Sequence, residues 1–181
     1  MGRDGSFVFP KSLSAKCFKR KVIFDSQLSV PSEVLIGEDG AAFIGAMLRA
    51  HRVSVIAGDD KACYICLVRN DSISRSSDIN AFKRLPFLLK YYREMFSVAQ
   101  FDFSLQFDRY IVAQLYTAAL LVIRSGCGRK ELNSGIEHAL KERYVSEALK
   151  GAKFSLKGYK FIIKKFILRH RLWWLARLLD R

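Results

Sequence analysis

The sequence predicts an α/β to α+β fold, in which a mixed N-terminal part precedes a mainly helical C-terminal region. Two short stretches rich in β-branched residues, Arg52–Ala57 and Cys63–Val68, are predicted strands. Beyond Ala81, apolar residues recur at helical spacing through three longer segments. Half of the 181 residues are hydrophobic, so the chain has enough apolar material to bury a core.

The chain is strongly basic, with a formal net charge of +14. Such a charge indicates an anionic partner: nucleic acid, an acidic membrane surface or phosphorylated substrates. The basic residues are mixed with large aliphatic ones and no nucleic-acid-binding motif is visible, which disfavours nucleic acid. The first residues lack the apolar stretch of a signal peptide. We therefore expect a cytoplasmic protein, peripheral at the inner membrane surface.

The N-terminal part begins with a short Gly-rich stretch, Met1–Pro10, for which no element is predicted. The basic run Lys11–Lys21 has the spacing of a helical face, and a short apolar piece follows at Val22–Phe24. Residues Asp25–Ser32 are predicted to form a loop.

Two adjacent carboxylates, Glu38 and Asp39, lie between Gly37 and Gly40 at the start of a predicted helix that runs to His51. The helix is predicted from the apolar spacing of Phe43, Met47 and Ala50. A helix N-terminus favours negative charge, so a plain acidic cap is one interpretation. A functional carboxylate pair is the other, because unpaired carboxylates are poor core material.

The four cysteines do not predict a metal site. Cys63 and Cys66 have C-x-x-C spacing, but in a strand positions three apart point to opposite faces. Buried free thiols in a reducing compartment are the favoured interpretation. No metal ligand is predicted in this chain.

Three helices are predicted in the C-terminal region. The first spans Ala81–Ala99, with Pro86 placed in its first turn. The second spans Ser104–Ile123 and is ended by Gly126 and Gly128; its charged residues exclude a membrane span. The third runs from Asn133 or Ser134 to Lys150. The residues expected to point inward are Phe82, Leu85, Leu88, Leu89, Tyr92 and Phe96 in the first helix, and Ile136, Leu140, Tyr144 and Leu149 in the third.

The last segment, Gly151–Arg181, has nine basic residues against Asp180 alone, a net charge of +8 out of +14. On a helical wheel one side collects Ile162, Ile163, Phe166, His170, Trp173 and Trp174, and the opposite side collects Phe161, Leu168, Leu172 and Leu179. A basic helix with an aromatic face is typical of binding in the plane of an anionic bilayer. A terminal helix packed on the domain, with solvated lysines, is the alternative.

Residues 16–75 resemble the second half of the catalytic domain of family 2 glycosyltransferases, which have the GT-A fold. The resemblance lies in the order of six short pieces, which are Lys16-Cys-Phe-Lys-Arg20, Phe24-Asp25, Gly37-Glu38-Asp39 with Phe43, Ala50-His-Arg-Val-Ser-Val-Ile56, Tyr64, and Arg69-Asn-Asp-Ser72-Ile-Ser-Arg-Ser76. It implies a partial GT-A-like half domain over residues 1–80, a helical extension over 81–150 and a basic amphipathic tail over 151–181.

The resemblance also implies roles for four residues. Asp39 would be the general base that deprotonates an acceptor hydroxyl during inverting transfer from a nucleotide sugar to a surface-polysaccharide or lipid-linked glycan. Glu38 would orient the acceptor or tune Asp39. Arg69 and Ser72 would contact the donor phosphates; a solvated loop is the alternative for that segment.

The chain departs from the family pattern because it has no D-x-D and no Gly-rich phosphate loop. In this family D-x-D holds a divalent metal, Mg²⁺ or Mn²⁺, on the donor diphosphate. We therefore expect no cofactor in this chain, and a metal only if a separate chain supplies the donor half. Activity without that half is not expected. The alternative is a non-catalytic membrane-surface or protein-interaction module.

Overall fold

Helices pack on helices throughout the part of the chain that the structure describes. The structure is a computed structural model, and it describes residues 17–34, 37–53, 77–153 and 158–180. The helices are α1 (Arg20–Leu28), α2 (Glu38–Arg49), α3 (Ala81–Ser97), α4 (Ser104–Arg124), α5 (Arg129–Leu140), α6 (Arg143–Gly151), α7 (Tyr159–His170) and α8 (Trp173–Leu179).

The predicted α/β to α+β fold with a GT-A-like half domain is wrong, because the described residues form an all-helical structure with no strand. Arg52 and Val53, at the start of the first predicted strand, have no regular structure. The rest of that strand and all of the second lie outside the described residues. Where short strands plus a helix were expected, α1 and α2 instead pack against each other, and α2 also contacts α3.

Helix α4 is the centre of the packing and contacts α3, α5, α6, α7 and α8. Its buried residues include runs such as Tyr110–Ala113, so it is covered on several sides rather than along one stripe. A helix that is apolar nearly all round is typical of a buried element. The predicted helix over 104–123 is thus confirmed.

Helices α1 and α2 approach each other closely where both present small residues. The buried residues of α2 are Gly40, Ala41, Ala42, Phe43, Gly45 and Ala46. A Cβ at Gly45 would lie 3.5 Å from the Cβ of Ser26, the residue of α1 that is fully buried. Arg49 reinforces this crossing by donating from Nη1 to the Ser26 hydroxyl over 3.2 Å.

The prediction of a loop at 25–32 is wrong up to Leu28, since tertiary packing around Ser26 keeps these residues helical.

Helix α3 confirms the predicted apolar stripe, with Phe82, Leu88, Leu89 and Tyr92 buried. The helix begins at Ala81 as predicted, but Pro86 is then its sixth residue and lies in the second turn, so its placement in the first turn was wrong. Because proline has no backbone N–H, it cannot donate to the carbonyl four residues earlier, and α3 lacks one hydrogen bond. Packing of the apolar stripe of α3 must offset this loss.

The third predicted helix is divided into α5 and α6, which are separated by Lys141 and Glu142. The inward positions Ile136 and Leu149 are buried as expected, one in each helix. The helical spacing continues across the break, so periodicity alone did not reveal the turn.

Gly126 follows α4 at φ 77°, a left-handed conformation that glycine adopts without strain.

The C-terminal segment also consists of two helices. Arg171, at φ 54°, ends α7, and α8 begins two residues later. Three contacts hold α8 against α4 and α5: Trp173 Nε1 donates to Asn133 Oδ1 over 2.8 Å, Arg124 pairs with Asp180 at 2.6 Å, and Arg177 donates to the Cys127 carbonyl over 2.9 Å.

Candidate functional site

The side of α7 that faces away from the molecule is apolar. We call it the outer face of α7, and it consists of Tyr159, Ile162, Ile163, Phe166 and His170. These residues are spaced three or four apart, which places them on one side of a helix. Tyr159 is 55% exposed and Phe166 is 51% exposed. The His170 ring lies 4.4 Å from the Phe166 ring, centroid to centroid.

The opposite side of α7 belongs to the core. Ile167 and Leu168 are fully buried and pack with residues of α4. The helix therefore has two apolar sides, and the protein covers one of them. This leaves an apolar strip of surface on a helix that is fixed in place by its other side.

Basic side chains flank the outer face of α7. Arg169 and Lys160 are exposed, and Lys165 is partly exposed. On a helix that advances by about 100° per residue, Arg169 and Lys165 lie to one side of the apolar strip and Lys160 to the other. The solvent-facing side of α7 is therefore apolar along its middle and cationic along both edges.

Two lysines fix α7 to the helices beneath it. Lys165 Nζ donates to the Ala152 carbonyl over 2.6 Å and to the Lys150 carbonyl over 3.0 Å, at the C-terminal end of α6. Lys164 Nζ lies 5.2 Å from the centres of the Tyr116 and Phe161 rings, within range of cation–π attraction.

The environment of these lysines changes their pKa values. Burial, followed by the charge of Lys160, lowers the pKa of Lys164. Burial also lowers the pKa of Lys165, with Arg169 adding to the effect and Asp108 opposing it. Asp108 itself has a raised pKa because of its own burial and the nearby Glu147. The two lysines thus serve as structural anchors, and the outer cations Lys160 and Arg169 are the ones that face solvent.

The tail prediction was wrong for one residue of the expected aromatic face. Trp173 is 3% exposed, whereas its neighbour Trp174 is 65% exposed. The helical wheel assumed one continuous helix, and the break at Arg171 turns Trp173 into the core. Tyr159 belongs to the exposed strip and was missed, although its position three residues before Ile162 would have placed it there.

Glu38 and Asp39 are the first two residues of α2, and both side chains are exposed. Gly37 precedes them at φ 90° and caps the helix without a side-chain bond. Neither carboxylate has a hydrogen-bond or ion-pair partner among the described residues. The hydroxyl of Tyr110 lies 3.7 Å from the position that a Cβ on Gly37 would take, so a buried tyrosine lies beneath the start of the helix.

The other two predicted site residues, Arg69 and Ser72, lie outside the described residues, as do Cys63 and Cys66. A shallow groove lined by Val34, Leu88 and Gln114, among others, opens beside the segment that leads into α2. Within the described ranges, no three metal-binding side chains come together.

None of the eight described helices combines the length and the apolar character that crossing a bilayer requires. Family models, curated proteins and solved structures give no match to this chain.

Proposed function

We propose that this chain is a helical module that binds reversibly to anionic membrane surfaces through the outer face of α7. The observation that carries the proposal is the exposure of Tyr159, Ile162, Ile163 and Phe166 between basic side chains, on a helix whose other side is buried. An apolar strip bordered by cations is complementary to a bilayer interface, in which acyl chains lie below anionic headgroups.

The free energies expected from the apolar and basic side chains favour reversible membrane binding. A half-exposed Ile, Phe or Tyr contributes roughly 1 kcal/mol when its remaining apolar surface leaves water. Each basic residue near an anionic leaflet adds about 1 kcal/mol. Four apolar side chains and the two solvent-facing cations, Lys160 and Arg169, thus supply several kcal/mol, which is the range of a peripheral protein and not of a permanent anchor.

The proposal is tested by vesicle co-sedimentation. Replacing both Ile163 and Phe166 by Glu puts two charges in the middle of the apolar strip, so we expect binding to vesicles rich in anionic lipid to fall at least about tenfold. Val98→Glu is the matched control, because Val98 is 84% exposed but lies in the turn between α3 and α4. Equal losses for both variants would contradict the proposal. A concentration-dependent dimer that only the α7 variant abolishes would identify a second copy as the partner instead.

A second candidate function is glycosyl transfer, as the acceptor-binding half of an inverting enzyme. The observation that favours it is the pair of exposed carboxylates at the start of α2. Asp39 would act as the general base, with Glu38 beside it. Arg69 and Ser72 as donor contacts, the nucleotide sugar, the glycan acceptor and the Mg²⁺ or Mn²⁺ of a donor-half chain all remain predictions. The GT-A-like half domain is not part of this proposal.

The second candidate is tested by assaying transfer from nucleotide sugars in the presence of a separately supplied donor-half chain with a divalent metal. Asp39→Asn removes the base and should lower transfer by about a hundredfold or more. Glu147→Gln, which changes an exposed carboxylate on α6, should leave the rate unchanged. Unchanged transfer by Asp39→Asn would exclude Asp39 as the base.

A further inference from the structure

The junction between α7 and α8 has an unusual backbone conformation. Among the described residues, Arg171 is the one non-glycine residue with a positive φ, at 54°. A Cβ disfavours this left-handed conformation. The Leu172 N–H donates to the Ile167 carbonyl over 3.0 Å, which completes the end of α7. Only Arg171 and Leu172 separate the two helices.

Two residues therefore decide which way the tryptophans point. If Arg171 and Leu172 were helical, residues 159–179 would form one helix. Both Trp173 and Trp174 would then lie on the side of Ile162 and Phe166, because all four share one arc of the helical wheel. With Arg171 left-handed, Trp173 is buried and donates to Asn133, and only Trp174 remains exposed.

The contacts that keep α8 in its docked position include charged groups near the surface. Arg171 pairs with Glu137 at 2.8 Å, and the two side chains are 38% and 58% exposed. Arg177 donates to the Cys127 carbonyl and is also exposed. Anionic headgroups compete for both guanidinium groups. Helix α8 has seven residues, too few to be stable as an isolated helix, so it is helical either docked or as a continuation of α7.

We propose that on an anionic bilayer α8 leaves its docked position, Arg171 and Leu172 become helical, and one helix from Tyr159 to Leu179 places Trp173 beside Trp174 in the interface. This inference rests on the proposed membrane function and extends its surface by a residue that is buried in the free protein. Trp173 and Trp174 gain an interfacial environment that suits their rings, and Arg171 leaves a disfavoured conformation.

The test follows Trp173 directly. The chain has two tryptophans, so Trp174→Phe leaves Trp173 as the single indole reporter. With vesicles whose acyl chains are brominated, we expect Trp173 fluorescence to be quenched in proportion to the bound protein. Binding without quenching overturns this inference and leaves the proposed function intact. No binding by the unsubstituted chain overturns both.

A matched pair of variants at Arg171 tests the hinge in the same Trp174→Phe protein. Arg171→Ala and Arg171→Gly both remove the guanidinium, so both lose the pairing with Glu137. Glycine favours the left-handed conformation and alanine favours the helix, so the ratio of straight to docked molecules should be at least about tenfold higher for alanine. Greater quenching of the alanine variant at equal bound protein supports the inference. Equal quenching of the two variants overturns it.

Discussion

Single glycines decide how closely the helices of this protein approach. Gly37 combines a positive φ with a tight site, because a Cβ there would lie 3.2 Å from the Leu88 side chain. Gly45 lies where α1 crosses α2, and Gly135 of α5 lies against the ring of Phe82 in α3. At Gly45 and Gly135, which lie inside helices, helix propensity and packing favour different residues, whereas at Gly37 both the positive φ and the tight site favour glycine.

Gly135→Ala should destabilise the protein by up to about 2 kcal/mol in urea unfolding. Alanine is favoured over glycine inside a helix by about 1 kcal/mol, but its methyl group would overlap the Phe82 ring, and overpacking costs about 1–3 kcal/mol. Phe82 is 2% exposed, so it has little room to move. Gly151→Ala is the control, because nothing lies within 4 Å of its added methyl group. A more stable Gly135→Ala protein would show that the α3–α5 contact is looser than described.

At the scale of the element, α8 depends on its polar contacts. Arg124 donates to both carboxylate oxygens of Asp180, at 2.8 and 2.6 Å. The two side chains are 31% and 16% exposed, so solvent screens this pair less than the surface pairs. Trp173 and Ala176 bury only one side of a seven-residue helix. The pair therefore supplies a substantial part of what keeps α8 docked.

Asp180→Ala should lower the free energy of unfolding by about 1–2 kcal/mol, toward the low end of the roughly 1.5–3 kcal/mol typical of hydrogen bonds to a charged group, because the pair is partly exposed. The loss should also appear as an increased exposure of Trp173, measured by acrylamide quenching in the Trp174→Phe background. Glu94→Ala removes the Lys90–Glu94 pair, whose side chains are 75% and 65% exposed, and should change stability by less than about 0.5 kcal/mol. Similar effects of the two substitutions would mean that the Asp180 pair does not hold α8.

At the scale of the whole molecule, charge and apolar surface coincide at the C-terminal end. The last segment contributes +8 of the net +14, and its helices α7 and α8 present exposed aromatic side chains. One side of α7 packs in the core, so the exposed strip is already helical before it meets a partner. The binding that we propose for the outer face of α7 therefore does not incur the cost of folding that strip, which distinguishes it from binding by disordered amphipathic segments.

The sequence predicted the helices of the central bundle well and the N-terminal part poorly. The apolar stripe of α3 and the long apolar run of α4 are strong signals, so both helices follow from the sequence, and the spacing in α3 also predicts most of its buried residues. Helix α1 has no such stripe, since its one fully buried residue is Ser26, and its helical state depends on contact with α2. The order of motifs indicated a GT-A-like half domain, but order along the chain does not determine which elements pair in space.

The sequence alone thus determined that the tail is cationic, that α7 has two apolar sides, and that Glu38 and Asp39 start a helix. The tertiary structure alone decided which apolar side of α7 is covered and that Trp173 is buried while Trp174 is exposed. The physical reason is that spacing reports which side chains share a face of a helix. Burial depends instead on what packs against that face, and one left-handed residue, Arg171, turns the following helix onto a different neighbour.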